Sequence, residues 1–349
     1  MLKDLPALGI IGGGQLGSML SEAARKLKIN VVVLSDDENA PAQKFCNQFI
    51  YSKYNDQKNI NKFMDLIDIV TFEFENVPYE MLKNIEKSKL VIPNPAINQI
   101  VQNRNREKIF INNLGIKTTQ WALVKSKEDI KKNENLLPGI LKTCTLGYDG
   151  KGQFAINSLK DVKDDWCFSD NYILEKKVKL KKEISIIITR FNNGESITYE
   201  PIENEHEHQI LKKSKIPANV NLELFKMSQK NAKLIADKLN YVGTMCVEYF
   251  IDQEENLFVN EIAPRVHNSG HLTINAFNIS QFENHIRAVC DLKRLSLSKV
   301  SNAEMVNIIG DEIKDYRERS FQKGTFFYDY LKKDIRDKRK MGHLTILKK

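Results

Sequence analysis

The first hundred residues alternate between strand-like and helix-like runs, and this alternation restricts the fold more than any other feature. Strand-like runs such as ALGIIGG and NVVVLSD are separated by helix-like runs such as QLGSMLSEAARKLKI and NINKFMDLI. Neighbouring parallel strands need a crossover of about this length, which is usually a helix. We therefore predict a mostly parallel sheet at the N-terminus. From about residue 118 the strands are closer together, so the overall fold class is α/β followed by α+β.

The turn after the first strand is rich in glycine. Gly12, Gly14 and Gly17 fit the pattern G-x-G-x-x-G, which brings a helix N-terminus close to an anion in dinucleotide-binding folds. Asp36 and Asp37 end the second strand, about where a ribose-binding acid lies in an NAD-binding unit. An NAD-dependent dehydrogenase is therefore one hypothesis, which the rest of the chain has to support or exclude.

Two strand-like runs, GTMCVEYFID and NLFVNEIAP, flank the turn DQEEN. We predict a hairpin centred between Glu254 and Glu255. Glu248 then lies directly opposite Glu261, with the two side chains about 5 Å apart on one face. Two carboxylates at this separation repel by about 3 kcal/mol at an effective dielectric near 20, and a divalent cation removes that conflict. With the amide of Asn260 beside them, they suit Mg²⁺; the alternative is a slipped register with one carboxylate in solvent.

A second glycine-rich stretch, ILKTCTLGYDGKGQ, begins at a strand end that carries Lys142. It is not a P-loop, but Gly147, Gly150 and Gly152 allow the backbone N–H groups to surround a phosphate, and Lys151 adds a charge. The alternative is an ordinary glycine-rich hairpin turn.

The segment after the carboxylate hairpin, APRVHNSGHLT, concentrates polar side chains, which are Arg265, His267, Asn268, Ser269 and His271. Pro264 and Gly270 indicate an irregular loop in place of a helix. Binding groups are often carried by loops held on rigid strands, so we interpret this segment as a second binding loop.

The net charge of +8 arises from 53 Lys and Arg against 45 Asp and Glu, spread along the whole chain. This distribution favours anionic small ligands over nucleic acid. The densest basic stretch, RDKRK, could bind a phosphate through Arg336, Arg339 and Lys340, or it could be a frayed charged tail.

The five cysteines are scattered, and the absence of C-x-x-C argues against a zinc site or a redox pair. The sequence contains no signal-peptide pattern and no apolar run of membrane-spanning length. These features predict a cytoplasmic protein with reduced thiols and without a membrane partner.

Five segments together resemble one known family. GGGQLG, TFEFENVP, LGYDGKGQ, NEIAPRVHNSGH and ISQFENHIRAVCDL are similar to the N5-carboxyaminoimidazole ribonucleotide synthases of purine biosynthesis, which are ATP-grasp ligases. The resemblance runs from about residue 8 to residue 343. It implies a Rossmann-like domain over 1–103, a linker helix and small lid over 104–180, and a larger grasp domain over 181–349 that includes the substrate-phosphate segment. It also implies a homodimer.

The resemblance implies a reaction as well. ATP phosphorylates bicarbonate to carboxyphosphate, and the amine of 5-aminoimidazole ribonucleotide is then carboxylated. The implied metal is Mg²⁺, for which Mn²⁺ can substitute. The alternative functions are another ATP-grasp carboxylase, or a formyl-transferring ligase, with a different amine acceptor.

The resemblance also assigns roles by position. The implied ATP-binding residues are Arg104, Lys142, Gly147, Tyr148, Asp149, Gly150, Lys151, Gly152, Gln153, Glu175, Lys176, Lys177, Val178, Glu183, His206, Asn260 and Glu261. The implied metal ligands are Glu248 and Glu261. The residues expected at the reacting groups are Arg265, His267, Asn268, His271 and Asp149. The expected substrate-binding residues are Gly14, Gln15, Leu16, Glu73, Glu75, Asn268, Ser269, Arg336, Arg339 and Lys340.

The chain departs from the family pattern at three places. Leu146 stands where the family usually has glycine, and Lys293 replaces a usual proline. Asp337 and Lys338 stand where the family tends to have Pro-Gly, so the local turn there cannot be assumed.

Overall fold

The computed structural model describes residues 5–145, 147, 152–163 and 171–348. The strands in these ranges form three sheets, which confirms the predicted combination of α/β and α+β architecture. None of the helices in these ranges combines the length and the apolar character that crossing a bilayer would require.

The N-terminal sheet is parallel, as predicted, with the order β3-β2-β1-β4-β5. Its strands are β1 (Leu8–Ile11), β2 (Val31–Ser35), β3 (Gln48–Tyr51), β4 (Ile69–Phe72) and β5 (Leu90–Val91). The helices beside it are α1 (Gln15–Lys26), α2 (Gln57–Asp65) and α3 (Tyr79–Glu86). The central strands β1 and β2 are buried throughout, because helices and loops cover both faces of the sheet.

Two helices, α4 (Ala96–Val101) and α5 (Arg104–Asn113), connect this sheet to the next one. The run NPAINQIVQNRNREKIFINNLGI predicts a single helix here, which is wrong. The chain breaks at Asn103, whose side chain accepts a hydrogen bond from the N–H of Arg106 and so caps α5. Gly115 follows α5 with φ of 73°, as expected for a glycine at a helix C-terminus.

A small antiparallel sheet has the order β6-β9-β7-β8. Its elements are β6 (Trp121–Val124), α6 (Lys127–Lys132), β7 (Gly139–Thr143), β8 (Gln153–Ile156) and β9 (Tyr172–Lys176). Strands β7 and β8 pair as the two arms of the predicted glycine-rich hairpin, with Lys142 opposite Gln153.

The largest sheet has nine strands, which are β10 (Leu180–Arg190), β11 (Ser196–Thr198), β12 (Ile202–Glu207), β13 (Ile210–Ile216), β14 (Gly243–Asp252), β15 (Leu257–Ala263), β16 (Asn302–Ile309), β17 (Thr325–Asp329) and β18 (Lys340–Lys348). Its helices are α7 (Leu222–Lys238), α8 (Thr273–Ala276), α9 (Gln281–Val289) and α10 (Glu312–Glu318). Helix α7 packs its apolar side on β10 and β14 and forms the largest core of the described residues.

The segment predicted as an irregular loop after the carboxylate hairpin is helical instead. A 3₁₀ helix covers Asn268–Leu272 and leads directly into α8. The ring nitrogen Nδ1 of His267 accepts a hydrogen bond from the N–H of Ser269, so this side chain caps the turn. A histidine cap is not among the common N-cap residues, which explains why the sequence pattern missed it.

Candidate active site

A cleft of about 540 Å³ opens between the N-terminal sheet, helix α5 and the large sheet. It adjoins a second cavity of about 390 Å³ on the side of β12 and β14. The two cavities share five lining residues, which are Arg104, Glu261, His267, Asn268 and Lys340. Most of the residues singled out from the sequence therefore surround one connected site.

The carboxylate hairpin has the predicted pair but a different register. Ile251 pairs with Leu257, so the hairpin is centred on Glu254, and the predicted centre between Glu254 and Glu255 is wrong. A bulge at Asn260 adds one residue to β15 and brings Glu248 opposite Glu261. The bulge also changes the direction of the Asn260 side chain, whose buried Oδ1 has no hydrogen-bond partner among the described residues.

Carboxylates outnumber cations at this end of the cleft. Burial and the nearby Glu261 carboxylate raise the pKa of Glu248 to about 7 and that of Glu107 to about 8. The guanidinium of Arg104 lies 3.1 Å from Glu261 Oε2. An orphaned amide oxygen and two carboxylates form the all-oxygen donor set that Mg²⁺ prefers, so these residues fit the metal that the family resemblance implies.

Lysines outnumber carboxylates on the other side of α5. Lys142 Nζ lies 2.9 Å from Glu175 Oε2, and Lys108 Nζ lies 3.2 Å from Glu175 Oε1. The hydroxyl of Thr119 also donates to Glu175, at 3.1 Å. Burial opposes the ionisation of Glu175, but the two ammonium groups outweigh it and lower its pKa to about 2.

The nucleotide-binding residues predicted beyond this cluster lie in different surroundings. His206 Nδ1 contacts the carboxylate of Glu183, and both side chains line the second cavity together with Gln153. In the strand end expected to bind adenine, the N–H groups of Lys176 and Lys177 already donate to main-chain carbonyls. Those two donors are therefore used within the fold, and Val178 follows them half-buried.

The glycine loop is described only in part. Gly147 accepts a hydrogen bond from Arg104 at 3.2 Å, and Gly152 has φ of 71°. Tyr148, Asp149, Gly150 and Lys151 lie outside the described residues, and so does Leu146.

The N-terminal glycine turn holds an anion that belongs to the chain itself. The carboxylate of Glu73 accepts hydrogen bonds from the N–H groups of Gly14 at 2.7 Å and Gly17 at 3.0 Å. Burial raises the pKa of Glu73, while these two N–H groups act in the opposite direction. A pyrophosphate would need the same N–H groups, so the dinucleotide interpretation of this turn is wrong. Gln15 and Leu16 line the cleft directly after it.

The segment from Arg265 to His271 divides into residues that face the cleft and residues behind it. The Arg265 guanidinium pairs with Glu75, and both side chains line the cleft. Ser269 and His271 are fully buried, with Ser269 Oγ 2.8 Å from His267 Nδ1. Burial and the neighbouring His343 hold the pKa of His271 well below its usual range, so its ring is neutral.

The basic C-terminal stretch contributes to the cleft only in part. Arg339 and Lys340 line it, whereas the exposed guanidinium of Arg336 lies 2.8 Å from Asp334 and is not among the lining residues. Lys338, in the place where the family tends to have glycine, adopts φ of 60° and lines the cleft as well.

Four charged residues near the site were not identified from the sequence, namely Glu107, Lys108, Lys332 and Lys338. A signal for the first two exists in the sequence. Helix α5 starts with adjacent charges at positions that a helix places toward β15, and Glu107 accepts a 2.6 Å hydrogen bond from the N–H of Ile262. Lys332, which donates to Gln15 at 2.8 Å, stands in a lysine-rich stretch that has no distinguishing pattern.

Comparison with known proteins gives consistent matches along the chain. Family models match as a ribonucleotide synthetase preATP-grasp domain over residues 5–102, an ATP-grasp domain over 109–282, and a phosphoribosylaminoimidazole carboxylase C-terminal domain over 303–349. The chain is 38% identical to the N5-carboxyaminoimidazole ribonucleotide synthase of Bacillus subtilis (strain 168) over 346 residues, covering 98% of this chain and 91% of that one.

Two solved structures are similar over nearly the whole chain. N5-carboxyaminoimidazole synthetase from Staphylococcus aureus complexed with ADP has a TM-score of 0.93 and 36% identity, covering 99% of this chain and 94% of that one. The synthase from Aspergillus clavatus in complex with ADP and 5-aminoimidazole ribonucleotide has a TM-score of 0.89 and 27% identity, with the same coverage.

Proposed function

The chain belongs to the N5-carboxyaminoimidazole ribonucleotide synthase family of ATP-grasp ligases, and from this premise we propose that it carboxylates 5-aminoimidazole ribonucleotide in purine biosynthesis. ATP phosphorylates bicarbonate, and the amine of the ribonucleotide takes the carboxyl group from carboxyphosphate. The products are N5-carboxyaminoimidazole ribonucleotide, ADP and phosphate. The observation that carries the proposal is a cleft with a carboxylate-rich end, beside a buried cluster in which Lys108 and Lys142 outnumber the carboxylate of Glu175.

The ATP phosphates bind between the carboxylate-rich end of the cleft and the lysine-rich cluster. Arg104 and Lys142 supply positive charge to the phosphates, and the glycine loop from Gly147 to Gln153 covers them. Glu248, Glu261 and Asn260 hold Mg²⁺ or Mn²⁺, which supplies charge neutralisation at the phosphate oxygens when it is bound. Phosphoryl transfer is mainly a matter of positioning and charge stabilisation, so this chemistry requires no nucleophilic side chain.

The ribose of ATP lies in the second cavity. We assign the ribose to Glu183 with His206 beside it, because these two side chains contact each other at the wall of that cavity. The strand end from Glu175 to Val178 holds adenine.

The reacting groups lie on the other side of the hairpin. Arg265, His267 and Asn268 bind bicarbonate and carboxyphosphate, and Asn268 is held by a buried amide pairing with Asn307. The ribonucleotide occupies the wall formed by the glycine turn and Glu73, with its 5′-phosphate near Arg339, Lys340, Lys332 and Lys338. The fully buried His271 supports Gln15 from behind in this arrangement, at 3.4 Å between their nitrogens.

The proposal also covers the domain boundaries and the oligomeric state. The segment 104–180 contains a linker helix and the small lid that keeps water from carboxyphosphate, between a Rossmann-like domain over 1–103 and a grasp domain over 181–349. A homodimer in the cytoplasm is part of the same proposal.

Phosphate release is the measurement that tests this function. We expect turnover only when ATP, Mg²⁺, bicarbonate and 5-aminoimidazole ribonucleotide are all present, and loss of turnover when any one is omitted. Unchanged turnover without the ribonucleotide would contradict the assigned acceptor and favour another ATP-grasp ligase. The dehydrogenase hypothesis is tested separately by titrating NADH and recording its fluorescence, which we expect to remain unchanged.

A further inference from the structure

Cys246 lies directly below the carboxylate pair and has no role in the proposed reaction. It precedes Glu248 by two residues in β14, so both side chains lie on the same face of the sheet. The Cys246 sulfur, a Glu248 carboxylate oxygen and a His267 ring nitrogen all lie within 4.8 Å of one another. Thiol, carboxylate and imidazole are the three side-chain types that bind Zn²⁺.

The distances approach those of a tetrahedral zinc site. His267 Nε2 lies 3.4 Å from Glu248 Oε1. In a tetrahedral zinc site, bonds of about 2.0–2.1 Å place a nitrogen and an oxygen ligand about 3.3 Å apart. The distance between His267 Nε2 and Glu248 Oε1 therefore already fits such a site. A Zn–S bond of about 2.3 Å places the sulfur about 3.6 Å from each of the other two ligand atoms, so the sulfur has to approach them by about 1 Å at most.

A supporting hydrogen bond orients the imidazole for this role. Ser269 Oγ lies 2.8 Å from His267 Nδ1, and Nε2 faces Glu248. Zinc binding through Nε2 places the ring proton on Nδ1, which then donates to Ser269 Oγ and no longer accepts from the Ser269 N–H. Partners of this kind fix the ring orientation of a metal-binding histidine in many zinc sites. Glu248 and His267 each keep about 15% of the side chain exposed to the cleft, which provides an entry path for an ion.

We propose that Cys246, Glu248 and His267 bind Zn²⁺ at the base of the cleft. The Cys246 thiol loses its proton to solvent as the sulfur–metal bond forms, and a water or a phosphate oxygen completes the coordination. A thiolate and an imidazole favour Zn²⁺ over Mg²⁺, which prefers oxygen ligands. A zinc ion here occupies Glu248 and therefore competes with any Mg²⁺ bound at the hairpin.

Binding of Co²⁺ alone to the full chain tests the site, without ATP or turnover, so its outcome is independent of the proposed activity. We expect a thiolate-to-cobalt charge-transfer band in the near ultraviolet that Zn²⁺ displaces. The band should be absent from Cys246→Ser and retained in Cys144→Ser, a matched control because Cys144 is also a buried thiol. A band of equal strength in Cys246→Ser would overturn the proposal.

Two further variants keep the thiol and guard against a folding defect in Cys246→Ser. Glu248→Gln should weaken Zn²⁺ at least about 10-fold because a charged ligand is lost. Ser269→Ala should weaken Zn²⁺ about 10- to 100-fold, the usual effect of removing an orienting partner. Competition with a chromophoric chelator measures the Zn²⁺ affinity of each variant. An unchanged affinity in both variants would also overturn the proposed zinc site.

Discussion

Two charge clusters lie beside helix α5, and their imbalances are opposite. One cluster has two ammonium groups, from Lys108 and Lys142, for the single carboxylate of Glu175. The other has three carboxylates, from Glu107, Glu248 and Glu261, which the guanidinium groups of Arg104 and Arg265 offset only in part. Isolated charges of either sign are costly inside a protein, so each cluster is incomplete without a ligand of the opposite sign.

The difference between the clusters corresponds to the two parts of a metal-nucleotide complex. Phosphate oxygens neutralise the lysine-rich end, and a divalent cation neutralises the carboxylate-rich end. Helix α5 supplies members to both, because its first turns carry Glu107 and Lys108 next to each other. One rigid element thus sets the distance between the phosphate end and the metal end.

Glu261→Gln should have the largest effect, because it removes a metal ligand without changing the size of the side chain. We expect kcat/KM to fall at least about 10³-fold, or about 4 kcal/mol, in phosphate-release assays with Mg²⁺. The melting temperature should change little, because the Glu261 side chain is 39% exposed and a repulsive charge is removed. The control is Glu254→Gln at the exposed hairpin turn. Turnover within 10-fold of the parent would exclude Glu261 as a metal ligand.

Lys142→Gln tests the lysine-rich cluster. Removal of one phosphate-binding charge should lower kcat/KM for ATP about 10²- to 10³-fold, or about 3–4 kcal/mol. Glu175 retains Lys108 and Thr119 as partners, so the protein should still fold. Lys131→Gln, on the exposed side of α6, removes the same charge away from the cleft and should leave kinetics unchanged. A defect limited to melting temperature would assign Lys142 a structural role only.

The sequence predicts best what neighbouring residues determine. Alternating strands and helices within a hundred residues specify a parallel sheet, because each crossover is local. The pairing of Glu248 with Glu261 was also predicted correctly, although the turn centre was misplaced by half a residue and the Asn260 bulge compensates for it. The His267 cap and the break at Asn103 depend on individual side-chain hydrogen bonds that a hydrophobic pattern does not contain.

Contacts between distant segments account for what the sequence did not reveal. Lys108 and Glu175 are far apart in the chain and meet only when α5 packs between two sheets. Cys246 gives no zinc pattern in the sequence, since His267 joins it across the fold. The anion at the glycine turn was unpredictable for the same reason, because Glu73 reaches it from the neighbouring strand.

The two clusters should respond to pH with opposite signs in metal-free protein. The pKa of Glu175 is lowered from 4.5 to about 2, so its stabilisation is complete above pH 4.5 and is lost as the pH falls. The pKa of Glu248 is raised from 4.5 to about 7, so stability is lost as the pH rises through that range. Each effect is up to about 3 kcal/mol of unfolding free energy.

Denaturant unfolding in the presence of EDTA at a series of pH values measures both effects. The unfolding free energy plotted against pH has an acid limb, where Glu175 is protonated, and a second limb between pH 4.5 and 7, where Glu248 titrates. Glu175→Gln should flatten the acid limb relative to the parent, and Glu248→Gln should flatten the limb between pH 4.5 and 7. Each variant serves as the control for the other. Parallel curves for all three proteins would show that the imbalance between the clusters has no energetic consequence.

Glu73→Gln should have the smallest effect of these substitutions. It provides the contrast to Glu261→Gln, because main-chain N–H groups of the protein already hydrogen-bond the Glu73 carboxylate. The new amide directs an N–H group toward the N–H of Gly14 or Gly17, which leaves a buried donor without an acceptor and costs about 1–3 kcal/mol. Removing a buried charge whose pKa is raised offsets part of this, so we expect about 1 kcal/mol less unfolding free energy in denaturant titrations. Glu38→Gln, on an exposed loop after β2, is the control. A more stable Glu73→Gln protein would mean that this wall of the cleft, like the hairpin, depends on a ligand to compensate its charge.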